Sequence, residues 1–343
     1  MKRKTKIIVT IILLMITAFF ISGCSAEKKA ELEYGVVEEA TYRQVVSDSF
    51  AEILEDAGVT ANEASEDSKK EISMLEEDLV EFINEEYDLS WEASGVEVYE
   101  LDFSLVEGYG IYNAMADPEA NSFYLNTAID DASDSRVQFI SGHELVHCLT
   151  YKNLGTYKFV LKDSEGAELG YYTSEAFADL LAIKFFESRE MPEVRDFFYS
   201  SSGYCYTTCA LVMLEKSIPN EMLYYFLTND MESLERDFNE LADKYIKMPD
   251  GYEDNAFEAF LYRTDLNLAI TRTIAEGYLT SDLSSMWLQT IFGNFETVAL
   301  LSRGQTDEVK QEIYDECYGL FESEGEITGD LKTFTDYLKS CMR

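Results

Sequence analysis

The chain of 343 residues holds two histidines, and both lie in His143-Glu144-Leu145-Val146-His147. On an α-helix, positions i and i+4 sit about 40° apart around the axis and one turn along it, so both imidazoles leave one face and can share one ion. Glu144 lies about 100° round from His143, beside such an ion rather than on it. A carboxylate there can take a proton from metal-bound water. The spacing is that of a catalytic zinc site, H-E-x-x-H.

The host segment has to be a helix, and Asp134 to Lys152 carries helical periodicity, with Ser133 and Asp134 as N-caps and Gly155 near its end. Gly142 inside it costs roughly 1 kcal/mol relative to alanine, which points to a close approach by a strand or a substrate. With both histidines used, a third protein ligand must be a carboxylate or a cysteine. The longer H-E-x-x-H-x-x-G-x-x-H arrangement is excluded, since position 153 is Asn153. The natural candidate is Glu175, which opens the next strongly helical segment; Glu165 and Glu168 are the alternatives. Two histidines and a glutamate leave the fourth tetrahedral position of zinc for water. Glu175 and Asp179 are a like-charge i, i+4 pair, which a helix tolerates when a cation or proton donor compensates. Asp179 gains that compensation if it accepts the second ring N–H of a ligating histidine.

At this point the chain resembles the gluzincin zinc metallopeptidases, in which H-E-x-x-H is followed on a later helix by a glutamate with an acidic residue four positions on. Glu175-Ala176-Phe177-Ala178-Asp179 is similar to the E-x-x-A-[DE] form of several bacterial members, including the lethal-factor-like and Pro-Pro endopeptidase groups. The likeness covers roughly residues 120–190 and rests on the motifs. It implies that His143, His147 and Glu175 bind one Zn2+, that Glu144 is the general base, that Asp179 orients a ligand from behind, and that the substrate is a peptide or protein. It also implies a donor to the oxyanion of the tetrahedral intermediate. Tyrosine is the expected type here, with Tyr172 first, beside Tyr171, and with Tyr204 and Tyr206 as alternatives. The competing reading is a catalytically inactive, metallopeptidase-like lipoprotein that only binds a peptide or protein partner; an intact Glu144 argues against it.

Lys2, Arg3, Lys4 and Lys6 precede an apolar run from Ile7 to Ile21, the pattern of a signal peptide. The run ends in Ile21-Ser22-Gly23-Cys24, which resembles the bacterial lipobox. Residues 1–23 are thus expected to be removed, Cys24 to carry lipid, and 24–40 to tether an extracytoplasmic body to the cell membrane. Losing four basic residues and no acid takes the net charge from −39 to −43. Such a surface excludes nucleic acid as a partner, because phosphate binding needs a basic face. Of six cysteines, five remain once Cys24 is assigned to lipid, an odd number that argues against a dense disulfide framework.

The elements that must hold the motif read as an α+β, mostly helical chain. Residues 41–190 form a zincin-like lobe with a small sheet and the metal helix, and 191–343 form a helical lobe that closes the cleft. Helices are expected at Tyr42 to Ala57 and Glu63 to Tyr87, strands at Val96 to Phe103, Gly110 to Met115 and Ser122 to Thr127, and a hairpin from Thr156 to Tyr172. Phe123-Tyr124-Leu125-Asn126 is expected to be the sheet edge that pairs with an extended substrate. From 173 onward the pattern is helical almost throughout.

Overall fold

The computed structural model describes residues 30–31, 49–110, 112–128, 135–159, 161–162, 168–170, 173–201, 204–218, 222–247, 255–275, 281–324 and 329–343. Cys24 and the segment before it, Ser133, Asp134, Glu165, Tyr171 and Tyr172 lie outside these residues. No helix among the described residues is long and apolar enough to cross a membrane.

The fold is mostly helical with one small mixed sheet. After a two-residue strand, β1 (Ala30–Glu31), come α1 (Phe50–Ala57), β2 (Asn62–Glu63) and α2 (Glu66–Tyr87). Helix α2 starts where the Ser65 hydroxyl accepts the Ser68 N–H and ends at Asp88 in the left-handed conformation. Its inner face holds Ile72, Leu79, Ile83 and Tyr87 at helical spacing. It also holds Glu76, a buried carboxylate that accepts the N–H groups of Ser94 (2.8 Å) and Gly95 (3.2 Å) and so pins the turn into the sheet. Glu63, expected to begin the helix, lies instead in β2.

The sheet is built from β2, β3 (Glu97–Leu101), β4 (Ala114–Asp117) and β5 (Ser122–Asn126), in the spatial order β2-β3-β5-β4. The β3–β5 pairing is parallel and the outer two pairings are antiparallel. Phe123-Tyr124-Leu125-Asn126 therefore lies between two neighbours and is not the edge. Every residue of β5 is buried. Its side chains alternate: Phe123 and Leu125 join the main core, and Tyr124 joins Phe50, Leu54 and Phe103 on the other face. The edge beside the helix that carries His143 and His147 is β4.

Helix α3 (Ser135–Leu154) carries the motif and α4 (Thr173–Ser188) follows the short hairpin of β6 (Leu161–Lys162) and β7 (Glu168–Leu169). Helix α3 is buried on most sides, because β4, α2 and α4 all pack on it. Gly142 shows the reason for its own presence. A Cβ there would lie 2.7 Å from the Phe186 ring of α4, so the close approach is by neither a strand nor a substrate. Phe186 is buried against Phe139 and Phe185, so the added methyl has to displace a packed ring. Gly142→Ala is expected to lower stability by about 1–3 kcal/mol in chemical denaturation, as overpacking does, despite its better helix propensity.

The remainder is helical: α5 (Glu193–Ser201), α6 (Cys205–Ser217), α7 (Met222–Leu227), α8 (Met231–Tyr245), α9 (Ala256–Ala275), α10 (Ser281–Leu301), α11 (Asp307–Glu324) and α12 (Gly329–Cys341). A two-residue strand after α8, β8 (Ile246–Lys247), pairs in parallel with β1. One continuous apolar cluster runs from Ala64 to Met342, so α6 and α10 support the same core as α3. Cys148, Cys205, Cys209, Cys317 and Cys341 are buried, and none is in a disulfide among the described residues.

Candidate metal centre

Three side chains from two helices converge. The Nε2 atoms of His143 and His147, one turn apart on α3, are 3.3 Å from each other. Glu175 Oε2, from the first turn of α4, lies 3.5 Å from His143 Nε2 and 3.6 Å from His147 Nε2. Both histidines are buried and Glu175 is partly open, so the group can hold a metal ion with one side accessible. Glu175 is the carboxylate that closes the set.

The aim of each group follows from contacts behind it. His143 Nδ1 lies 2.8 Å from Asp179 Oδ1, a contact that keeps a proton on Nδ1 and turns Nε2 toward Glu175. The other oxygen of Asp179 accepts the Thr208 hydroxyl of α6 at 2.9 Å. Asp179 is fully enclosed, and its two donors supply the compensation that the Glu175–Asp179 pair requires. Asp179→Asn is expected to weaken metal binding about 10–100-fold in a competitive chelator titration, with the fold retained in circular dichroism.

Glu175 is positioned by the start of α4. Asp265 of α9 accepts the N–H groups of Gly170 (2.7 Å) and Thr173 (3.2 Å), and the Ser174 hydroxyl accepts the Phe159 N–H at 3.0 Å. Gly170 is obligatory here: its φ is +90° and a Cβ would meet the Phe159 carbonyl oxygen at 2.4 Å.

Burial opposes the charged form of His143. The charge and hydrogen bond of Asp179, with Glu175 and Glu144 nearby, outweigh it and hold His143 well above the ordinary histidine value. Burial likewise opposes ionisation of Glu175, yet the two histidines hold its carboxyl far below the usual range. Glu144 is different. Burial pushes its carboxyl up, against the pull of the two histidines, and makes it a stronger base than an exposed glutamate. Its Oε2 accepts the Ala116 N–H of β4 at 2.9 Å, so it stands between the histidines and the sheet edge.

Two tyrosines flank the group. The Tyr204 ring, just before α6, lies 6.3 Å from that of His143 and nearly parallel to it, while Tyr157 meets His147 edge-on at 6.2 Å. The charge of Glu175 and then burial raise the Tyr204 phenol well above its ordinary value, so it remains a proton donor. Tyr206 packs against Trp287 and Phe321. Sequence reasoning missed Thr208, Asp265, Tyr157 and the Ala116 N–H. Their relation to the motif is set by long-range packing, and the only local signal is that Thr208 lies one turn beyond Tyr204.

Comparison with protein-family models, with curated proteins and with solved structures returns no match to the chain.

Proposed function

We propose that the protein is an extracytoplasmic, lipid-anchored zinc metallopeptidase of gluzincin type. The observation that carries this reading is the triangle of ligand atoms with edges of 3.3, 3.5 and 3.6 Å, with Glu144 beside it. Zinc bonds of about 2.0–2.1 Å at tetrahedral angles require ligand atoms about 3.3–3.4 Å apart, and two imidazoles with a carboxylate are its usual donors at a catalytic site. An oxygen-only cation such as Mg2+ or Ca2+ is a poorer fit to the two nitrogens. His143, His147 and Glu175 would hold the ion, which would supply a polarised water and a Lewis acid for the carbonyl.

The chain's own residues supply the rest. Glu144 takes the proton of the attacking water and delivers it to the leaving amine, its basicity raised by burial. Asp179, backed by Thr208, keeps His143 in the ligating tautomer. Tyr204 takes the role of oxyanion donor among the described tyrosines, since its phenol is protonated and its ring lies against His143. An extended peptide laid along the outer edge of β4 passes Glu144, which is bonded to that strand at Ala116. The basic and apolar N-terminal run ending at Cys24 supports export and lipid attachment.

The test is metal content by mass spectrometry on the purified protein, with cleavage of a diverse quenched-peptide library. One equivalent of zinc with chelator-sensitive cleavage supports the reading. A full metal complement without cleavage of any peptide favours the peptide-binding lipoprotein, and no bound metal under zinc-replete conditions overturns the metallopeptidase. Tyr204→Phe is expected to lower kcat about 10–100-fold with KM and zinc content little changed, measured on a peptide selected from that library.

A further inference from the structure

Gln138 and Ser141 lie about 160° and 140° around α3 from the mean direction of the two histidines, on the far side of the helix from them, and Val137 lies about 100° round. A cavity of about 220 Å3 opens there between α3 and α2. Ile72, Leu75, Leu125, Val137 and Phe186 make its apolar wall, and Glu71, Asp78 and Arg189 stand among its polar lining. In the same lining is Ser141, 1% exposed, whose hydroxyl finds no hydrogen-bond partner among the described residues.

A hydroxyl sealed from water without a partner is unfavourable, and a ligand group that bonds it recovers the loss. The size is informative as well, since an apolar cavity of about 150 Å3 accepts benzene. The larger volume here accommodates a bicyclic body. Charge limits the choice further: Arg189 is paired with Asp78 at 2.7 Å, Glu71 leaves the lining net negative, and the whole chain carries −39. A carboxylate or phosphate is disfavoured by that field.

We propose that this cavity is a second ligand site, separate from the metal centre, for a small uncharged amphiphile with a compact aromatic or branched body and one N–H or O–H that bonds Ser141 Oγ. Indole has this chemistry, and indole-3-acetate adds the charge that the lining opposes. The experiment titrates each into the full chain by calorimetry and by saturation-transfer NMR, with Leu75→Trp to fill the cavity, Met191→Phe as a second filling variant, and Ser141→Ala. The expected result is saturable one-site binding of indole, at least about ten-fold weaker binding of indole-3-acetate, loss of indole binding in whichever filling variant keeps the wild-type circular dichroism, and about five-fold weakening in Ser141→Ala. No saturable binding of indole, or binding undiminished in a folded filling variant, overturns the site. Equal affinity of wild type and Ser141→Ala overturns the assignment of the polar contact.

Discussion

Glu175→Ala is expected to cost the protein its metal. Binding of zinc to four-ligand structural sites is worth about 10–16 kcal/mol, or roughly 3 kcal/mol per ligand, which corresponds to about two orders of magnitude in affinity. The loss extends beyond one bond, because Glu175 Oε2 is the only carboxylate oxygen in the triangle and the two histidines alone leave half of a tetrahedron. The measurement is a competitive chelator titration, paired with thermal melts in excess zinc and in excess chelator. A ligand that binds the native state alone stabilises it by about 4 kcal/mol at a thousand-fold excess over Kd, so the wild-type melts separate widely and those of Glu175→Ala converge. Wild-type zinc affinity in a folded Glu175→Ala protein would move the third ligand to another residue and dismantle the metal centre described above.

Glu144→Gln separates metal binding from chemistry. The substitution keeps the shape of the side chain and an oxygen to accept the Ala116 N–H, so α3 and β4 stay in place and the three ligand atoms are untouched. What is lost is the capacity to accept a proton. General base catalysis contributes about 10^2–10^4 in rate, so hydrolysis of a library-derived peptide should fall by that factor with zinc content at one equivalent. Removal of this base is also the sharpest test of peptidase against binding protein. A chain that only captures peptides would bind them equally well with either residue at 144. Hydrolysis at the wild-type rate in Glu144→Gln would assign the base elsewhere.

Much of the candidate metal centre was legible because it is local. Histidines four apart on a helix must share a face whatever surrounds them, and the helix itself was readable from periodicity. Glu175 and Asp179 were legible by the same logic on the next helix, where an unrelieved like-charge pair demands a partner; the structure supplies His143 and Thr208. The helical run after 173 was also readable, since α5, α6, α8, α9, α10, α11 and α12 each carry apolar residues at helical spacing with few prolines in the way.

The errors have a common cause. Phe123-Tyr124-Leu125-Asn126 has the composition of a strand, but strand composition is the same at an edge and in the centre of a small sheet; only the pairing order β2-β3-β5-β4 distinguishes them. Glu63 looked like the first turn of a helix and became a strand because Tyr99 and Glu100 were available to pair with Asn62 and Glu63. Gly142 invited a strand or substrate and received the ring of Phe186, a residue 44 positions away in the sequence.

The sequence by itself determined the chemistry available to this protein: two imidazoles on one helical face, a carboxylate beside them, and a further pair of acids at helical spacing. These depend on φ/ψ repeats that extend over a few residues and need no knowledge of the rest of the chain. Tertiary structure decided how that chemistry is aimed. Asp265, 90 positions beyond Glu175, ties down the start of the glutamate's helix; Thr208 holds Asp179; β4 rather than β5 lies against Glu144; and Ser141 faces a cavity with its hydroxyl unbonded among the described residues. Each of these is a contact between segments distant in sequence, selected by which apolar faces bury one another, and local periodicity carries no record of that choice.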